Sequence, residues 1–381
     1  MLSGFFFAGF ECATGYNVHR EWIDQIAATG HDVRMHADYQ ALRQVGLLAA
    51  RDGVRWPIVD RGDRFDLSSV VTLIDASQRA GVQVIHDLFH FGYPDGLDPL
   101  GPDFAPRFAE YCHVVARCLR RYGEPPFWLS PINEPSYFAW AGGEVGRFAP
   151  HQNGRGWDLK VALARAAIAG TNALWDELPQ ARIVSVDALC RVVPPLGDGH
   201  DLLSAVADFN DRIVFQCWDL ISGRLCPELG GSPRHLGILG VNYYWTNQWE
   251  IGRDNAPLVE DDPRLLPLHV LLAQAWQRYG AELLMTETSH VGARRASWVM
   301  HIAEQARLAI GAGVPLHGIC LYPILGMPEW HARDVWVPMG LWDIEPETGA
   351  RHLYRPMLEA LDLVRHRIRP LPGIEAAARR G

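Results

Sequence analysis

The first apolar run of the chain, FFFAGFECATG at residues 5–15, is compatible with two kinds of α/β fold. Through Cys12 the run fits a buried strand. A doubly wound sheet would place a glycine-rich phosphate loop directly after that strand. GFECATG lacks the required glycine spacing, which favours a closed barrel. The run also has the apolar look of a signal peptide, but no Lys or Arg precedes it and the first basic residue is Arg20. A buried strand of a cytoplasmic protein is therefore expected.

Outward from this strand, similar runs recur seven times: GVRWPIV from Gly53, VQVIHDLF from Val82, PFWLSPI from Pro126, RIVSVDAL from Arg182, LGILGVNYY from Leu236, ELLMTET from Glu282 and HGICLYP from His317. Between them lie segments such as 70–80, 104–123, 160–178 and 297–313, with apolar residues at three- and four-residue spacing, as helices packed outside a sheet require. Eight strand–helix units predict an α/β fold, a single-domain (β/α)8 TIM barrel over residues 1–369, with its site at the C-terminal strand ends. Residues 370–381 are expected to form a loose tail.

The remaining composition narrows the function. A formal net charge of -9 argues against nucleic acid or an anionic membrane as partner. No apolar stretch reaches the length of a membrane span. Seven cysteines without a CxxC pair suggest neither a zinc site nor a disulfide framework, and a reducing compartment fits them. The sixteen histidines are scattered and no HExxH occurs, so neither metal nor cofactor is expected.

The predicted strand ends carry Arg55, His86, Asp87, His90, Asn133, Glu134, Asn242, Tyr244, Glu287 and Tyr322. Ionisable groups gathered at one rim of an apolar barrel are costly to bury unless they pair or work. Glu134 and Glu287 lie 287 − 134 = 153 residues apart in sequence, at the ends of the fourth and seventh predicted strands. A barrel brings both to one mouth, which is what glycoside hydrolysis needs: one acid to protonate the leaving oxygen and one carboxylate opposite it.

Taken in order along the chain, FECATGYN, GVRWPIV, LFHFGYPDGL, INEP, LGVNYYWT, LLMTETS and MGLWDIEPETGAR resemble the successive motifs of family 1 glycoside hydrolases, the retaining β-glucosidase and β-galactosidase family. The resemblance implies that Glu134 is the acid/base and Glu287 the nucleophile. Arg55 is then the expected cationic partner of Glu287, the alternative being a buried ion pair without chemistry. Asn242 and Tyr244 share a strand face, with Tyr244 orienting the nucleophile and Asn242 near the sugar. Asn133 is expected to contact the sugar 2-hydroxyl. Sugar binding falls to His90, Glu329 and Trp330, with Asn17 and Tyr322 nearby.

The sequence departs from the family pattern at Asn17, where a glutamine is usual, and at Phe91 and Tyr322, each in place of a tryptophan. Met327 replaces an asparagine and Ser289 a glycine. The carboxylates and their supports survive while the glycone pocket is altered. The resemblance implies a cofactor-free retaining β-glycosidase acting on a small glycoside. Transfer of the sugar to an acceptor from the same intermediate, or sugar binding without catalysis, are the alternatives.

Overall fold

The computed structural model describes residues 2–197, 200–252 and 256–368; the expected tail, 370–381, lies outside the described residues. The strands are β1 (Phe6–Gly9), β2 (Ala49–Gly53), β3 (Gln83–Asp87), β4 (Trp128–Ser130), β5 (Arg182–Ala188), β6 (Ile238–Asn242), β7 (Leu283–Thr288) and β8 (Leu316–Leu321). All pair in parallel in chain order, and β1 closes the ring by pairing with both β8 and β2. This is the (β/α)8 TIM barrel that the alternating pattern predicts.

The principal helices are α1 (His31–Gln44), α2 (Ser68–Ala80), α3 (Phe104–Tyr122), α4 (Pro135–Phe138), α5 (Gly156–Glu177), α6 (Leu203–Asp211), α7 (Leu268–Tyr279), α8 (Arg295–Gly311) and α9 (Arg355–Arg365). No helix among the described residues is long and apolar enough to cross a membrane.

Strand periodicity divides the core in two. Phe7, Ala49, Ile85, Trp128, Val184, Ile238, Leu284 and Cys320 fill the barrel interior, while neighbours such as Phe6, Ala50, Val84, Leu129 and Leu239 join the larger cluster beneath the helices. Successive side chains of a strand point to opposite faces, so each residue two positions beyond an interior one faces the lumen again, nearer the mouth. From Ala49 that residue is Arg51. From Ile85 it is Asp87.

The structure corrects the second strand. It runs over Ala49–Gly53 rather than forward from Gly53, and Trp56–Val59 form a short helix. Pro57 has no N–H to give a sheet ladder but suits a first helical turn, where that donor would be unpaired anyway. One glycine shapes the lumen: a Cβ on Gly9 would sit 2.1 Å from Cδ2 of Tyr322, so only glycine admits that ring against β1.

Candidate active site

Arg51 is fully buried at the mouth of the barrel and donates in three directions. Its Nη1 bonds Oε1 of Glu287 at 2.6 Å, and its Nη2 bonds Oδ2 of Asp87 at 2.5 Å and Oδ1 of Asn133 at 2.7 Å. Burial disfavours its charge, but Asp87 and Glu287 outweigh that and raise its pKa. The expected partner, Arg55, lies elsewhere: it caps the Trp56–Val59 helix beyond the end of β2 and pairs with Asp24 at 2.7 Å. Strand alternation is the reason, since β2 has ended before residue 55 and only Arg51 projects from it into the lumen.

Glu287 lies on β7 where the pairing with β6 shifts register between Met285 and Glu287. The irregularity lets two adjacent side chains reach lumen partners: Thr286 donates to Oδ1 of Asn242 at 2.7 Å, while Glu287 accepts from Arg51 and, through Oε2, from the Tyr244 hydroxyl at 2.8 Å. Tyr244 is fixed in turn by Asn247, whose Oδ1 accepts the Tyr244 amide at 3.1 Å.

Asn133 and Glu134 come after β4, between two neighbouring strand ends. The Asn133 amide donates to the Phe89 carbonyl and the Glu134 amide to the Val186 carbonyl. Glu134 then turns left-handed, at φ 42° and ψ 57°, to open α4. For a residue with a Cβ this conformation costs about 1–3 kcal/mol and persists only where surrounding contacts enforce it. Its Oε1 accepts from Nδ2 of Asn242 at 2.9 Å. Burial pushes the Glu134 carboxyl well above the usual range, Glu287 adds to the rise, and the Asn242 bond opposes it.

Asn242 is expected among the sugar contacts, but both its amide hydrogens are taken, by Glu134 and by Oδ1 of Asn133, while its oxygen accepts from Thr286. It positions the Glu134 carboxyl. Asn133 keeps one amide hydrogen beyond its contact with Nε2 of His90 at 3.1 Å. His90 bonds Asp87 through Nδ1 at 2.9 Å. Burial opposes the charge of the His90 ring, but Asp87, Glu11 and Glu287 raise its pKa, and the Asn133 contact is a hydrogen bond only while Nε2 carries no proton.

Asn17 is also committed. Its Oδ1 accepts the amides of His19 and Glu21, and its Nδ2 donates to the Trp330 carbonyl and to Glu21. It ties the first rim loop to the segment carrying Trp330 rather than facing a sugar. Tyr322 is 1% exposed, lies beneath the Arg51 guanidinium at 5.3 Å, and accepts the Cys12 amide through its hydroxyl. It floors the cation, not the sugar. Trp330 packs edge-on against Phe91 and Phe148, each at 5.7 Å, with Tyr137 at 6.4 Å. Its indole Nε1 has no protein partner among the described residues. Glu329 accepts the His331 amide through Oε2 at 2.6 Å. Tyr137 joins this wall to Glu134: burial raises its pKa, Glu134 adds most among the charges, and Glu329 and Glu11 contribute.

Three acids of the site carry no sequence signal for the roles they take. Glu11 is buried, with Oε1 on the Ala13 amide and 3.6 Å from Nε2 of His90; burial raises its pKa, His90 opposes and Glu287 adds. Asp87 is placed at the rim by its strand, but its partner Arg51 is not. Asp187 accepts the amide of Ser136, two residues beyond Glu134, and burial raises its pKa to about 6. Among the described residues, one group could share a cation: Cys12, Asp87 and His90. Asp87 Oδ2 already accepts from Arg51 there, and burial raises the Cys12 thiol well above its usual value, so hydrogen bonding accounts for the cluster.

Residues 12–213 match the family model for Glycosyl hydrolase family 1. The chain belongs to this family. Among curated family relatives, coniferin beta-glucosidase of Pinus contorta is 29% identical over 136 residues, 32% of this chain and 26% of that protein. Beta-glucosidase 17 of Arabidopsis thaliana is 27% identical over 129 residues, 31% of this chain and 24% of that protein. These alignments thus span about a quarter of the curated relatives. Of solved structures, the beta-glucosidase from Thermotoga maritima in complex with glucoimidazole matches with a TM-score of 0.77 at 16% identity, over 95% of this chain and 98% of that one. Its complex with methoxycarbonyl-substituted glucoimidazole matches with a TM-score of 0.76 at 17% identity, over 96% and 98%. At that identity the likeness is one of fold.

Proposed function

We propose that this protein is a retaining β-glycosidase that hydrolyses a small, neutral β-glycoside by double displacement. One observation carries the reading: two buried carboxyls face the same mouth in opposite settings. Glu134 has a raised pKa and one amide donor, while Glu287 accepts from the Arg51 cation and the Tyr244 hydroxyl. That asymmetry supports Glu134 as the acid and Glu287 as the nucleophile. Glu287 attacks the anomeric carbon as Glu134 gives its proton to the departing oxygen, forming a glycosyl ester. The ester removes the charge of Glu287, so the pKa of Glu134 falls and it takes a proton from water, whose oxygen displaces Glu287. The unpaired amide hydrogen of Asn133 supports a contact to a sugar hydroxyl.

Glu11, Asp87, Glu134 and Glu287 are all buried within electrostatic reach of Arg51. Such a pocket disfavours sugar acids and phosphorylated sugars. The relatives' names, both beta-glucosidases, agree with a neutral glycone. All seven cysteines are free thiols, which fits a reducing, cytoplasmic setting.

The test is intact-protein mass spectrometry after incubation with a panel of 2-deoxy-2-fluoro glycosides bearing good leaving groups. A gain of one glycosyl unit, mapped to the Glu287 peptide and absent from Glu287→Gln, is expected. No adduct with any sugar, together with no turnover of the matching aryl glycosides, would sink the assignment.

A further inference from the structure

Outside the carboxylate site, a cavity of about 410 Å³ opens between the end of β5, α6 and α7. None of Asn133, Glu134, Asn242, Tyr244 or Glu287 lines it. Its volume falls within the range of small-molecule sites, roughly 300–1,000 Å³. One side is apolar, with Val214, Phe215, Leu266 and Leu271; Arg191 lies on the lining with them.

Arg191 stands apart from neighbouring arginines. Arg278, on the same lining, is held by Asp219, and Arg264 by Glu250 and Asp262. Among the described residues Arg191 has no carboxylate partner, and its side chain makes one hydrogen bond, from Nη1 to the Arg264 carbonyl at 2.8 Å. A guanidinium has five N–H donors, so four remain for a ligand. Burial lowers its pKa, with no nearby carboxylate to offset that penalty. A partly desolvated, unneutralised cation beside an apolar wall is unfavourable in the empty protein. A planar or tetrahedral anion matches the guanidinium fork with two parallel hydrogen bonds. The one acid on the lining, Asp211, is exposed.

We propose that this cavity binds a small amphipathic anion, its carboxylate or phosphate on Arg191 and its apolar body against Phe215, Leu266 and Leu271. The site shares a wall with the glycosidase centre. Cys190 lines the cavity and receives a hydrogen bond from Asn247, the residue that fixes Tyr244. The ligand itself needs no glycone and no turnover.

Isothermal titration of the intact chain at low salt tests this with benzoate, phenyl phosphate and neutral benzamide. At least one anion is expected to bind ten or more times tighter than benzamide, and the better of the two names the acid group. Arg191→Met should bring that anion down to the benzamide level. Leu271→Trp, which leaves Arg191 in place and fills the apolar side, should abolish binding independently, with thermal unfolding confirming that both variants fold. Glu287→Gln should bind the anion as the native chain does. Equal affinity for benzamide and the anions, undiminished binding by Arg191→Met, or loss of binding in Glu287→Gln would each overturn the proposal. The last would place the anion in the glycosidase centre, whose own test is the mass adduct.

Discussion

Replacing Arg51 by methionine removes the cation on which the site is built. Its three hydrogen bonds, at 2.5, 2.6 and 2.7 Å, end on Asp87, Glu287 and Asn133, and the side chain is fully buried. Two carboxylates are then left in low dielectric without their neutralising charge. Breaking a buried pair by deleting one partner destabilises by about 3–5 kcal/mol, so a fall of that size in urea-unfolding free energy is expected. The bond to Glu287, the proposed nucleophile, adds a kinetic effect. A hydrogen bond to a charged group contributes about 1.5–3 kcal/mol, which at 1.36 kcal/mol per decade is roughly a 10- to 150-fold loss of kcat/KM on an aryl glycoside. Arg51→Lys keeps the charge but not the three-way reach, and should recover stability better than rate. Arg55→Met is the control. It forfeits one bond to Asp24, which still caps the Gln25–Ala28 helix through the Ala27 amide, so kcat/KM should stay within about twofold. If Arg55→Met were the inactive variant and Arg51→Met kept its rate, the assignment of the nucleophile's partner would be wrong.

Tyr244→Phe removes the hydroxyl bond to Oε2 of Glu287 while Arg51 still holds Oε1; kcat should drop about 10- to 100-fold with little change in melting temperature. Asp187→Asn tests a positioning role through pH: the Asp187 charge raises the pKa of Glu134, so its removal should move the basic limb of the kcat/KM profile to lower pH, whereas a purely structural role would leave the limb in place. His31 governs alkaline stability. It is buried between Asp38 and Asp52, and although burial opposes its charge, those carboxylates raise its pKa from 6.5 to about 9. A raised folded-state pKa contributes stability that is full below 6.5 and lost as pH rises through 9, about 3 kcal/mol in all. Urea titrations at pH 6 and pH 10 should show that loss, and Asp52→Asn should shrink it; equal midpoints at the two pH values would refute the linkage.

Seven of the eight strands are readable because fully buried parallel strands are near-continuous apolar runs. The exception shows the limit of that signal. AARDG, residues 49–53, carries two charged residues inside a strand, because Arg51 and Asp52 find partners far away in sequence: Asp87 and Glu287 for the first, and for the second His31 with a hydrogen bond from the Tyr39 hydroxyl. An apolar-run criterion passes over such a strand and settles on the next apolar stretch, GVRWPIV, which points to Arg55 instead. Counting by two from Ala49 leads to Arg51, but that count needs the strand to be known first.

Residue type marked the rim, while hydrogen-bond capacity decided what each side chain does there. Asn17, Asn242 and Tyr322 all stand close to expected sugar contacts, yet neighbouring groups exhaust the two amides and the tyrosine ring is sealed beneath Arg51. A saturated amide cannot bind a hydroxyl without breaking a bond of similar strength, so its net contribution to affinity is close to nil. Unused capacity lies instead on Asn133, which keeps one amide hydrogen, on Trp330 with its unpaired indole N–H, and on Glu329, which uses only Oε2 among the described contacts. Glu11 joins them: Oε1 accepts the Ala13 amide and no hydrogen bond is made by Oε2 among the described residues. Nothing in FECATGYN distinguishes Glu11 from a solvated acid at a strand end, because its role depends on His90 and Glu287 arriving from two other strands. On the proposed glycosidase function, sugar recognition depends on which groups the fold leaves unpaired, and specificity should respond to changes at Glu11, Asn133, Glu329 and Trp330 more than to changes at Asn17 or Tyr322.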